Sequence, residues 1–244
     1  MIEARNLSKI YAIGKKQFFA VKNVNLTIRR KEILGLIGAS GSGKSTLGRM
    51  LLKLIKPDAG DVLFEGEKIE KCLPARMQMI FQDPFSSLNP RFTIEEIIQE
   101  PLRIHRSSGS NVNHLLDLVG LPQNIKGRFP HELSGGQKQR VAISRAIALH
   151  PDFIVCDEPI SSLDVSIQAQ IINLLHRLHK ELGLAYLFIA HDLVMVRHLA
   201  TRVAVMYKGE IVETAETETL FNNPSHPYTQ HLLASMALDL VRDL

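Results

Sequence analysis

Residues 38–46 read GASGSGKST, and the fold turns on how this stretch is read. It fits the spacing G-x-x-x-x-G-K-[ST], with Gly38, Gly43, Lys44 and Ser45 on the defining positions. The run before it, KEILGLIG, is short and almost continuously apolar, as a buried strand requires. The run after it, KSTLGRMLLKLI, has helical spacing. Strand, glycine-rich loop and helix together make a phosphate cradle. Gly41 and Gly43 let backbone amides curl around phosphate oxygens, Lys44 adds a point charge on the β- and γ-phosphates, and the Ser45 hydroxyl is a Mg²⁺ ligand. A random chain of this length would match the pattern roughly one time in a hundred, and the flanking strand and helix lower that further. Nucleotide binding is the first expectation.

Working outward, a second anion-binding pattern lies at 131–140, HELSGGQKQR. Ser134 can cap a helix that continues as QKQRVAISRAIAL, while Gly135 and Gly136 allow close backbone approach. One domain has no evident need for two phosphate sites. A third pattern, FIVCDEP, begins at residue 153. Asp157 ends an apolar strand where it can hold a Mg²⁺ shell, and Glu158 follows where a carboxylate can orient or deprotonate a water. Two acidic residues simply ending a strand are the plain alternative.

The chain has 244 residues, 45% hydrophobic and 22% charged, with a formal net charge of +4. The mild, scattered positive charge suits a nucleotide and lacks the clustered basic face that nucleic acid calls for. Two cysteines, Cys72 and Cys156, make no disulfide framework, and Cys156 reads as a small core residue. No apolar run approaches the ~20 residues that span a bilayer, and the charged start MIEARNLSKIY is no signal peptide. The expected location is therefore the cytosol, with any membrane contact made through a partner.

Short strands are expected in MIEARNLSKIY, FFAVKNVNLTI, MQMIF, DFIVCDE and LAYLFIAHD, and hairpins in GDVLFEGEKI and RVAVMYKGEIVETA. Between 83 and 150 the strand pattern fades. Helices are expected in TIEEIIQEPLRI and NVNHLLDLVG, then a long amphipathic one in SIQAQIINLLHRLHKEL and a last short one around YTQHLLASMAL. This predicts an α/β protein: a P-loop NTPase (RecA-like) core with a mixed sheet over 1–82 and 151–244, including an N-terminal antiparallel β subdomain, and an inserted α-helical subdomain over 83–150.

Taken together, the pieces resemble the ATP-binding subunit of an ABC transporter, in order along nearly the whole chain: the P-loop, Gln82 after MIF, LSGGQ at 133–137, FIVCDE, SSLD at 161–164 and His191 after LFIA. The resemblance implies ATP and Mg²⁺ as cofactors. It implies nucleotide contacts from Tyr11, which would stack on adenine, from Gly38, Ser40, Gly41, Ser42, Gly43, Lys44, Ser45 and Thr46, and, across a dimer, from Ser134, Gly135, Gly136, Gln137 and Asp164. It implies Ser45, Gln82 and Asp157 around the metal, and Glu158, His191, Gln82 and Lys44 in the chemistry. Ser162 stands where many relatives have Ala.

The stretches FQDPFSSLNPRFTI, RFPHELSGGQKQRVAISRAIA and SHPYTQHLLAS are similar to the ATPases of dipeptide, oligopeptide and nickel importers. Many of these extend into a cysteine-containing tail. No cysteine follows Cys156 here, so no iron–sulfur cluster is expected. The implied partners are a second ATPase subunit, identical or paralogous, two transmembrane permease subunits docking near DPFSSLNPRF, and indirectly an extracytoplasmic solute-binding protein. The implied place is the cytoplasmic face of the membrane, as a peripheral subunit. The rival reading is a soluble ABC-type ATPase acting on nucleic acid or ribosomes. Against it, the segment from Gln82 to Leu133 is short and lacks sustained heptads and Cys/His ligand pairs.

Overall fold

The structure is a computed structural model describing residues 1–14, 16–69, 74–83, 87–107, 111–161 and 163–242. Cys72, Ser162, Lys15, residues 84–86 within DPFSSLNPRF and residues 108–110 within HRSSGSN lie outside the described residues. The chain divides into two compact units, 1–72 with 186–244, and 73–185. The segment 83–150, expected to be helical, falls wholly inside the second.

The first unit begins with an antiparallel sheet. Strand β1 (Ile2–Ile13) pairs with β2 (Lys16–Ile28) on one side and, with β3 (Ile33–Ile37) intervening in sequence, with β4 (Ala59–Phe64) on the other; β5 (Glu67–Lys68) completes the order β2-β1-β4-β5. Glu65 and Gly66, both at positive φ, make the two-residue turn between β4 and β5, the kind whose twist suits a hairpin. Strand β3 belongs to a mixed sheet. It runs parallel to β8 (Ala185–Ile189) and to β9 (Arg202–Tyr207), and β10 (Glu210–Glu216) returns antiparallel along β9. Both ILGLI of β3 and AYLFI of β8 are buried at every position, which is why neither alternates. A buried ion pair between Arg202 and Glu32, 2.7 Å apart, fixes the start of β9 beside the start of β3.

In the second unit β6 (Met77–Ile80) pairs in parallel with β7 (Phe153–Asp157), Ile80 beside Cys156. With α1 (Lys44–Leu51) in the first unit, the helices here continue as α2 (Ile94–Ile104), α3 (Val112–Leu118), α4 (Gly135–Ile147) and α5 (Val165–Leu182). Their starts follow from capping chemistry. Thr93 and Glu96 close a capping box on α2, and the Asn111 side chain accepts the Asn113 N–H at α3. Gly183, left-handed, ends α5. Cys156 is fully buried, and burial pushes its thiol well above the ordinary range, with Asp157 adding to the effect.

Two boundaries differ from expectation. The helix after the phosphate loop stops at Leu51 instead of reaching Ile55, since Lys53 adopts φ 59°. The last helix is not short: after α6 (Leu193–Leu199) and α7 (Thr217–Asn222), α8 runs from Pro227 to Arg242. Pro227 opens it, where a missing N–H costs nothing.

Candidate nucleotide site

The phosphate loop leaves the buried end of β3 and enters α1. Its shape is set by backbone pressing from behind. A Cβ at Gly43 would sit 1.9 Å from the Ala20 carbonyl oxygen, and one at Gly38 would sit 2.1 Å from that of Met206. Both glycines have positive φ, 108° and 150°, so no side chain fits there in space or in conformation. The Ser42 carbonyl accepts the Gly209 N–H at 3.0 Å, tying the loop to the turn between β9 and β10.

Lys44 is only 4% exposed. Its ammonium donates to the Gly38 and Ala39 carbonyls at 2.8 and 3.0 Å, so it reaches back over its own loop. Ser42 Oγ is buried with no hydrogen-bond partner. A buried cation, a buried hydroxyl without a hydrogen-bond partner and a glycine-shaped hollow fit a polyphosphate, since an anion would neutralise the first, bond the second and fill the third. Ser40 is exposed, and Ser45 and Thr46 are half-buried in the first turn of α1. Gly43 caps that turn with no side-chain hydrogen bond.

Tyr11 lies in the same unit on β1, with Phe18 opposite it in register; their ring centroids are 6.1 Å apart. It remains 36% exposed, with the Lys9 ammonium 5.7 Å from its ring. His191 follows β8 and is exposed, immediately before Asp192, whose carboxylate caps α6 through the Val194 and Met195 N–H groups.

The other expected residues belong to the second unit. Asp157 ends β7 and is 2% exposed. Glu158 follows at φ 48°, a left-handed setting that costs a glutamate about 1–2 kcal/mol. Its carboxylate accepts a hydrogen bond from Gln82 Nε2 at 2.9 Å, so the structure brings together two residues 76 apart in sequence. At the start of α4 Ser134 and Gln137 form a reciprocal capping box: Ser134 Oγ accepts the Gln137 N–H at 3.3 Å, and Gln137 Oε1 accepts the Ser134 N–H at 3.0 Å. The Gln137 side chain is therefore engaged by its own helix start. Gly135 and Gly136 pack toward Leu163 and Ile167; a Cβ on Gly136 would come within 2.7 Å of Ile167 Cγ2. Asp164 is the N-cap residue of α5, exposed and making no cap bond with its side chain.

Sequence reasoning missed one group at the phosphate loop. The Ala39 N–H donates to the Tyr228 hydroxyl at 3.0 Å, and the Tyr228 ring stacks on Tyr207 with centroids 4.0 Å apart. SHPYT had marked a subfamily without pointing to the loop. Just before α8, Glu213 gathers the Ser225 N–H and hydroxyl at 2.8 and 2.7 Å and the His226 N–H at 3.0 Å. Burial pushes the Glu213 carboxyl up, but the surrounding donors outweigh it and hold it at about 2; they include the Thr229 hydroxyl, which faces it without completing a regular hydrogen bond.

A mixed-sheet unit carrying a phosphate loop of this kind defines a P-loop ATPase, and the chain belongs to the ABC transporter family, whose pattern matches residues 21–161. The pattern described as oligopeptide/dipeptide transporter, C-terminal region, matches residues 212–238. The chain is 49% identical over 252 aligned residues to the putative oligopeptide transport ATP-binding protein YkfD of Bacillus subtilis (98% of this chain, 77% of the relative). It is equally identical to the oligopeptide transport ATP-binding protein AmiF of Streptococcus pneumoniae (98% and 82%). Among solved structures it is similar to the dimeric post-hydrolysis state of the ATP-binding cassette MJ0796 bound to ADP and Pi, with TM-score 0.79, 30% identity, and coverage of 89% of this chain and 99% of that one. It is also similar to cbiO1 of Clostridium perfringens, part of the ABC transporter complex cbiONQ, with TM-score 0.77, 25% identity, and coverage of 99% and 96%. No helix among the described residues is long and apolar enough to cross a membrane.

Proposed function

We propose that this chain is the ATP-hydrolysing subunit of an oligopeptide importer, attached peripherally to the cytoplasmic face of the membrane through two permease subunits and served by an extracytoplasmic solute-binding protein. The observation that carries the reading is the match of residues 212–238 to the oligopeptide/dipeptide transporter C-terminal region, alongside near-full-length relatives named for oligopeptide transport. Those names favour peptides over nickel as cargo, and they disfavour the soluble nucleic-acid or ribosome reading.

In this reading two ATPase chains, identical or paralogous, pack head to tail, as a two-fold arrangement of one surface requires. ATP lies on the Gly38–Thr46 loop of one chain, with Tyr11 on its adenine. Ser134, Gly135, Gly136, Gln137 and Asp164 come from the other chain, where the α4 dipole, worth about half a charge, faces the γ-phosphate. The dimeric MJ0796 structures support the assembly. Ser45, Gln82 and Asp157 offer the hard oxygen donors that suit Mg²⁺, which when bound would neutralise developing phosphate charge. Glu158, held by Gln82, orients and deprotonates the attacking water, and His191 contacts the γ-phosphate. Loss of that phosphate lets the dimer open.

Glu158→Gln tests the reading in the purified chain and in vesicles carrying the whole transporter. Expected are retained MgATP binding, hydrolysis slowed by about 100-fold or more, an ATP-trapped dimer and no peptide uptake. Normal turnover in that variant would remove Glu158 from its role, and uptake of no peptide by the unmodified transporter would remove the cargo.

A further inference from the structure

The loop residue Ala39 is held at both of its backbone groups. Its carbonyl accepts the Ser42 N–H at 3.2 Å and the Lys44 ammonium at 3.0 Å. Its N–H donates to a phenol 189 residues away on the first turn of α8. That phenol is fixed in turn. Its ring stacks on Tyr207 at the end of β9, next to Met206, whose carbonyl backs Gly38. Its own N–H donates to His226 Nδ1 at 3.1 Å, and the Ser225–His226 backbone hangs on the Glu213 carboxylate of β10. A continuous set of contacts thus runs from β10, through the start of α8, to the peptide that positions Lys44.

We propose that Tyr228 is a positioning residue for the nucleotide: its hydroxyl sets the Ala39 peptide, and the segment 212–238 is by this contact a working part of the ATP site and not only a family mark. A glycine-rich loop has much backbone freedom to lose when it closes on phosphate. A hydrogen bond made before the ligand arrives removes part of that loss, and the gain appears as affinity. The phenol suits the task because stacking fixes the ring while the hydroxyl accepts from the loop. Tyr228 touches no reacting atom, so its effect falls on binding and KM, not on kcat.

This inference rests on the reading that Gly38–Thr46 binds ATP, and the experiment separates the two. MgATP affinity, kcat and thermal stability are measured on the full chain as wild type and as Lys44→Ala, Tyr228→Phe and Glu213→Gln. If wild type binds no MgATP, or Lys44→Ala binds it as well, the loop reading fails. If wild type binds and Lys44→Ala does not, Tyr228→Phe decides. It keeps the ring and removes one hydrogen bond, so MgATP binding should weaken about 3- to 10-fold with ligand-free Tm unchanged and kcat near wild type. Affinity equal to wild type overturns the proposal. So does a loss matched by a fall in Tm, which would make Tyr228 a merely structural support. Should Tyr228→Phe not fold, Glu213→Gln takes its place: weaker MgATP binding supports the proposal, and unchanged binding overturns it.

Discussion

The two glycine-rich helix starts of this molecule, Gly38–Thr46 before α1 and Leu133–Gln137 before α4, look interchangeable as strings and differ as structures. The first is capped by a glycine with no side-chain bond, carries a buried lysine, and leaves Ser42 Oγ without a partner. The second closes on itself, Ser134 and Gln137 satisfying each other's N–H groups, although its own lysine, Lys138, is buried too. On the proposed function, the incomplete start is the one that holds nucleotide, and the self-satisfied one would offer its dipole and two glycine amides to nucleotide held by another chain.

That contrast can be broken most sharply at Lys44. Lys44→Ala should abolish nucleotide binding and cut hydrolysis by about 100-fold or more, as read by a steady-state ATPase assay. Ser134→Arg should cut hydrolysis by roughly 100-fold while the isolated chain still binds MgATP, as read by equilibrium binding. Loss of binding there would place both loops at one site on one chain. Alanine at the glycines sharpens the comparison further. Gly43→Ala meets the Ala20 backbone carbonyl and an unfavourable φ, and should cost about 3 kcal/mol or more by denaturant unfolding. Gly136→Ala meets the Ile167 side chain, which can yield, and should cost about 1–2 kcal/mol. Ser134→Ala, which removes only a cap, should cost about 1 kcal/mol.

The smallest effect is one of pH, on the phosphate-loop side. The Glu213 carboxyl ionises near 4.5 when unfolded and near 2 when folded. Its contribution is therefore complete above about pH 4.5 and is lost as pH falls toward 2. Glu213→Gln should flatten the acid limb of the stability curve within that window and leave stability above it independent of pH on this account.

Much of the fold was legible because its signals are local. Apolar runs such as ILGLI, the hairpin in GDVLFEGEKI and the cap at Ser134 each act within a few residues. The phosphate loop was legible for the same reason. The Gln82–Glu158 bond was reachable only through family resemblance, since nothing local joins the two residues. Tyr228 was not reachable: its partner is a backbone N–H, which has no sequence identity and leaves no pattern to read. The early end of α1 turned on a left-handed Lys53, a setting that side-chain periodicity does not encode.

Lys44 donates to the carbonyls of both Gly38 and Ala39. An ammonium carries three N–H donors, so these two bonds fix its direction over the loop without exhausting its capacity. Charge-assisted hydrogen bonds are worth about 1.5–3 kcal/mol each, and a chain of phosphates would make more of them along the loop than a single phosphate. On the proposed function, the loop's own carbonyls are thus the template that aims its cation before any base is recognised.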